Sequence, residues 1–162
     1  MPSICDNLNN IRNQLKSYNA TLVAVSKTKP AALIQEAAQC DQIDFGENYV
    51  QELTEKNSQL SEKLKWHMIG HLQSNKVKYI APFVSLIHTV DSLKLLAEIN
   101  KQGSKHNRVI DVLIQIYIAT EDTKTGLSYN EADDLFASDD LKSLQNVCIK
   151  GLMGMATFTE NE

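Results

Sequence analysis

Four apolar residues in a row, Leu22-Val23-Ala24-Val25, run into Ser26-Lys27-Thr28-Lys29-Pro30 and set the first clear punctuation of the chain. A short unbroken apolar run suits a strand buried on both faces, as in a parallel sheet. Ahead of it, Ile4, Leu8, Ile11 and Leu15 recur at helical spacing, so residues 4–18 predict a helix with a narrow apolar stripe that packs on one side only. Behind it the pattern alternates. Ala31 to Gln39 predicts a helix, Ile43 to Phe45 a short strand ending in Gly46-Glu47-Asn48, Tyr49 to Leu64 a polar helix, and Trp66 to Ile69 another strand. Gly70 to Asn75 turns into a basic helix with Lys76 and Lys78. Phe83 to Val90 is a fourth strand, and Asp91 or Ser92 caps a helix running through Leu93, Leu96 and Ala97 to about Asn100, with Gly103 ending the unit.

Val109 to Ala119 is the clearest strand, because Ile110, Val112, Ile114, Ile116 and Ile118 share one parity while Gln115 and Tyr117 interrupt the other. The loop from Thr120 to Gly126 leads to helical segments over 130–136 and 140–145, and Val147 to Met153 is a sixth strand. Strands and helices thus alternate along the whole chain without Pro-, Gly- or Ser-rich linkers or internal repeats, which predicts an α/β fold with a parallel sheet. A (β/α)8 barrel of TIM type needs roughly 250 residues, so about six of eight βα units fit here. The competing architecture is a complete doubly wound open sheet.

Composition narrows the class further. With 162 residues, 43% apolar and 22% charged, the chain suits one cored domain. Its net charge of −4 supplies no overall field to attract nucleic acid or anionic lipid. The first residues, Met1-Pro2-Ser3-Ile4-Cys5-Asp6, lack the basic and apolar regions of a signal peptide, and no apolar run reaches membrane-spanning length, so a cytoplasmic setting is expected. Cys5, Cys40 and Cys148 are odd in number and far apart, which predicts free thiols rather than a disulfide framework or a metal site.

Polar residues that follow parallel strands gather at one end of a barrel, where such folds place their sites. The candidates are Lys27, Asn48, His67 or His71, His88 or Asp91, Lys124 and the stretch from Met153 to Thr157. A lysine above a packed core, with the like charge of Lys29 nearby, would keep some amine neutral and able to attack an aldehyde. The plain alternative is a solvated lysine opening a loop, with Pro30 starting the next helix. Asn48 could equally cap the helix after it. His67 and His71 have the spacing of a helical metal pair, but on a strand and its following turn they would stand roughly 13 Å apart.

Four stretches in order, from Val23 to Pro30, Asp44 to Glu52, Trp66 to Lys76 and Gly151 to Met155, resemble the signature stretches of the pyridoxal phosphate (PLP) homeostasis proteins. The resemblance implies a barrel like the amino-terminal domain of alanine racemase, with PLP held as a Schiff base on Lys27, Asn48 near the cofactor, and Met155 in the Met153 to Ala156 stretch lining the site. It implies a carrier or regulator of PLP in vitamin B6 balance rather than a catalyst, with PLP-dependent apo-enzymes as potential recipients. The runner-up is a PLP-dependent amino-acid racemase, which would need a second acid/base group on the other face of the cofactor. The family's seventh and eighth strands, with their phosphate and pyridine contacts, find no counterpart here. A single, incomplete PLP-binding barrel domain over 1–162 is therefore expected, binding PLP weakly and prone to self-association through open barrel edges.

Overall fold

The structure, a computed structural model, describes residues 3–118 and 126–154. Helix α1 (Ile4–Leu15) opens with a capping box in which Ser3 and Asp6 exchange hydrogen bonds. It buries only Leu8, as its narrow stripe predicts. Its anchors are polar and covalent: Arg12 donates to the Cys40 carbonyl at 2.7 Å and to Gln42 Oε1 at 3.2 Å, and a disulfide joins Cys5 to Cys40. The free-thiol reading therefore holds only for Cys148. Thirty-five residues separate Cys5 from Cys40 in sequence, and only the docking of α1 on α2 (Ala31–Gln39) brings them together.

Six parallel strands follow in the order of the chain: β1 (Ala24–Val25), β2 (Asp44–Glu47), β3 (Lys65–Met68), β4 (Leu86–Val90), β5 (Ile110–Ile116) and β6 (Val147–Gly154). Between them lie α2, α3 (Val50–Gln59), α4 (Val77–Ile80) after a 3-10 turn at Ser74–Lys76, α5 (Leu93–Lys105), and then α6 (Tyr129–Ala137) and α7 (Asp139–Lys142). Right-handed crossovers between strands in unbroken sequential order put every helix on one face, which is barrel topology; a doubly wound sheet reverses its order and covers both faces.

The faces differ accordingly. Glu47, Met68, Ile87 and Val112 are paired in register on the helix side and are all fully buried. One position earlier, Val25, Gly46, His67, Leu86, Asp111 and Cys148 form a row across all six strands on the other side. Val25 in that row is 55% exposed, so β1 is not buried on both faces. Its apolar run is longer than its strand: only two of the four residues pair, and they pair with β2 alone.

Two boundaries move for a physical reason. Helix α5 is capped by Ser92, whose Oγ accepts from the Leu95 N–H, but it runs through Gly103 to Lys105. A Cβ at Gly103 would stand 2.9 Å from the carbonyls of Arg108 and Asn146, so this glycine permits close packing and does not stop the helix. The reversal comes at Asn107, with φ 51°. The polar helix expected to reach Leu64 ends at Gln59, and the basic helix shrinks to a 3-10 turn and one turn of α4.

Candidate functional site

Ser26 to Lys29 form a tight turn where β1 leaves the sheet, closed by the Lys29 N–H donating to the Ser26 carbonyl at 3.0 Å. Lys27 and Thr28 occupy its central positions. Thr28 has φ 63°, the left-handed backbone that the third residue of a type II turn requires and glycine normally supplies. Lys27 is exposed, and no hydrogen bond or ion pair of its ammonium exists among the described residues. The expected desolvation over a packed core is absent, because β1 is short and Val25 before it is open to water.

Both residues flanking Lys27 are held by a charged cluster that the sequence reading missed. Lys56 on α3 is buried, and its Nζ donates to Glu47 Oε1 at 2.7 Å, Glu52 Oε1 at 2.7 Å and the Ser26 carbonyl at 2.8 Å. Ser26 Oγ donates to Glu47 Oε1 at 2.6 Å, and the Thr28 N–H donates to Glu52 Oε1 at 2.7 Å. The hydrogen bond from Lys56 holds the Glu52 carboxyl below its ordinary pKa, with the Thr28 amide adding to the effect. Glu52 and Lys56 have i,i+4 spacing, which is legible in the sequence. That Glu47 closes the same pair from a strand is not.

Asn48 follows β2 and does not cap α3, whose N-cap is Tyr49 without a side-chain bond. Its backbone lies against Gly70, where a Cβ would come within 2.3 Å of the Asn48 carbonyl oxygen, so only glycine lets the β2 and β3 loops meet. The two loops border a cleft of about 950 Å³ lined by Asn48, Thr54, His71, Gln73, Lys76 and Tyr79; Lys27 is not in its lining. Lys76 and Lys78 sit 5.7 and 4.9 Å from the Tyr79 ring, within cation–π range.

His67 and His71 part company. His67 lies on the open face of the sheet, with Nε2 3.0 Å from Asp44 Oδ1 and Nδ1 2.9 Å from His88 Nε2. An ionised Asp44 only accepts, so His67 donates from Nε2 and, when neutral, accepts from His88 through Nδ1. Burial, with the neighbouring His67 charge, pushes the His88 pKa down to about 4. His71 instead is exposed, 3.8 Å from Asp91. No group of three metal-ligating side chains occurs among the described residues. Met153 ends β6 with Gly154, while Met155 and Lys124 lie outside the described residues. No described helix is long and apolar enough to cross a membrane.

Residues 2–162 match the family model "Alanine racemase, N-terminal domain". The pyridoxal phosphate homeostasis protein of Pasteurella multocida is 42% identical over 143 residues, covering 86% of this chain and 60% of that protein. The Escherichia coli K12 protein of the same name is 38% identical over 168 residues, covering 96% of this chain and 71% of that protein. PipY of Synechococcus elongatus, solved with PLP bound, has a TM-score of 0.86 and 33% identity, covering 98% of this chain and 73% of that one. This chain thus spans less than three quarters of each.

Proposed function

From a chain that belongs to the pyridoxal phosphate homeostasis proteins, on the TIM-barrel-like fold of the alanine racemase N-terminal domain, we propose a non-enzymatic PLP-binding protein that holds the cofactor through Lys27. The observation that carries this reading is the turn at the end of β1: an exposed ammonium, without a partner among the described residues, between two residues fixed by a buried charged cluster. The residues present fit an aldehyde-bearing ligand, since the lysine Nζ has no competing partner among the described residues and the turn leaves the sheet at the carboxyl ends of the strands. The PLP found in the PipY structure supports the same assignment.

Lys27 Nζ, once its ammonium has released a proton to solvent, would bond to the aldehyde carbon, and the carbonyl oxygen would leave as water with the two remaining amine protons. Asn48, free of a capping role, lies at the end of the neighbouring strand, where its amide has both a donor and acceptors to offer the ligand. Bound PLP supplies an electrophilic aldehyde and an electron-withdrawing ring. The strands β1 and β6 are the two edges of the sheet among the described residues, and unpaired edges invite further strands or a second copy.

Borohydride reduction of the PLP-loaded protein followed by peptide mapping tests the assignment. The pyridoxyl label is expected on Lys27, and Lys27→Ala is expected to abolish it. A label chiefly on Lys29 or Lys124 would overturn the reading. Incubation with single L-amino acids in deuterated water addresses catalysis: no protein-dependent α-deuterium exchange is expected, and exchange at turnover rates with appearance of the D-isomer would make the protein a racemase.

A further inference from the structure

The buried cluster on α3 does something more specific than neutralise charge. Among the described residues, every side-chain bond it sends outside its own members and helix goes to one of the two residues flanking Lys27: Ser26 through its hydroxyl and carbonyl, Thr28 through its amide. Thr28 sits at φ 63°, and a β-branched residue there is a backbone outlier that persists only when its surroundings over-determine it. The bond aimed at that residue is the one from its N–H to Glu52 Oε1, at 2.7 Å. Lys56 grips the same oxygen at 2.7 Å, so the carboxylate is itself immobilised. Lys56 has an 8% exposed side chain and Glu47 a fully buried one, while Glu52 is 23% exposed and stands at the rim of the cluster, next to the turn.

We propose that Glu52 is a positioning residue for Lys27: its carboxylate, braced by Lys56, clamps the Thr28 amide and so holds the Ser26–Lys29 turn in the one shape that presents the Lys27 amine. The proposal rests on Lys27 being the PLP-bearing residue. Glu52 does not touch the ligand; it acts by removing alternative turn conformations, so that ligand capture does not have to order the loop. Without the clamp, the strain at Thr28 drives the turn into other shapes, and the lysine samples them.

The test uses the full-length protein with and without PLP, and the variants Glu52→Ala, Glu52→Gln and Lys27→Ala. In the PLP-free protein, Glu52→Ala is expected to speed amide hydrogen exchange at Thr28 by about tenfold or more, with the β3 amides unchanged, because one charge-assisted bond is lost locally. In the PLP titration, followed by absorbance of the covalent adduct, the same variant should bind about tenfold more weakly with a displaced pH profile of adduct formation. Glu52→Gln keeps an acceptor without the charge and should fall between wild type and alanine in both readouts, and it carries the test if Glu52→Ala does not fold. Unchanged exchange at Thr28, or faster exchange with a wild-type titration, would overturn the positioning role alone. A covalent adduct retained by Lys27→Ala would instead overturn the lysine assignment, and this proposal with it.

Discussion

Two polar clusters sit back to back on β2. On the helix side, Glu47 on β2 meets Lys56 and Glu52 of α3; on the open side, Asp44 on β2 meets His67 on β3 and His88 on β4. The first is sealed by a helix, with one ammonium shared between two carboxyl groups, and it serves as a fixed brace. The second lies on the opposite face of the sheet, where burial pushes the pKa of its far member, His88, down to about 4. A single strand therefore carries part of a charged brace on one side and part of a histidine-bearing cluster on the other, and the alternation of side chains along β2 is what separates them.

The largest expected effect breaks the brace. Lys56→Met leaves two carboxylates facing each other without their cation, one of them, Glu47, fully buried and with Oε2 already lacking a partner among the described residues. Removing one member of a buried pair costs about 3–5 kcal/mol, so urea unfolding should show a loss of that size. Adding Glu47→Gln should recover a good part of it, a coupling expected of groups in direct contact. A Lys56→Met protein within about 0.5 kcal/mol of wild type would mean that the cluster is only a solvated surface pair.

The open-face cluster should give a smaller, pH-dependent effect. The folded-state pKa of His88 is depressed from 6.5 to about 4, so between those values the unfolded chain binds more protons than the folded one. Stability from this group is fully present above pH 6.5 and is lost as the pH falls toward 4. The whole shift corresponds to about 3 kcal/mol, which partial exposure to water reduces to about 1–2 kcal/mol. Denaturant midpoints from pH 7 to 4 should fall less in His88→Gln than in wild type. Equal slopes would show that the depression does not operate.

Helix α2 falls on its predicted range of Ala31 to Gln39, and each of the six strands overlaps the apolar run that predicts it, because local periodicity is a property of neighbouring residues; β2, however, runs on through Gly46 and Glu47, which read as the turn after it. The polar clusters are not local. Asp44, His67 and His88 are about twenty residues apart from one to the next and meet only through strand register, and Cys5 reaches Cys40 only through helix docking. Lys27 was singled out by the stretch that resembles the family, but its exposure depends on how short β1 is, which the four-residue apolar run concealed. Gly103 was misread because close approach and helix termination both favour glycine, and only the neighbours at 2.9 Å distinguish them.

The smallest effect tests whether strain at Thr28 is what the brace holds. Thr28→Gly removes the left-handed penalty of about 1–2 kcal/mol but frees the unfolded chain by a comparable 0.5–1 kcal/mol, so stability should change by under about 1 kcal/mol. The informative measurement is the double variant. With Glu52→Ala alone, the turn is expected to relax away from φ 63° and PLP affinity to drop; with glycine at position 28 that conformation is no longer costly, so Thr28→Gly should restore part of the affinity lost in Glu52→Ala. Glycine also widens the turn's freedom, which keeps the rescue incomplete. If Thr28→Gly lowers PLP affinity equally with and without Glu52, the two residues are uncoupled, and the carboxylate holds something other than the strained turn.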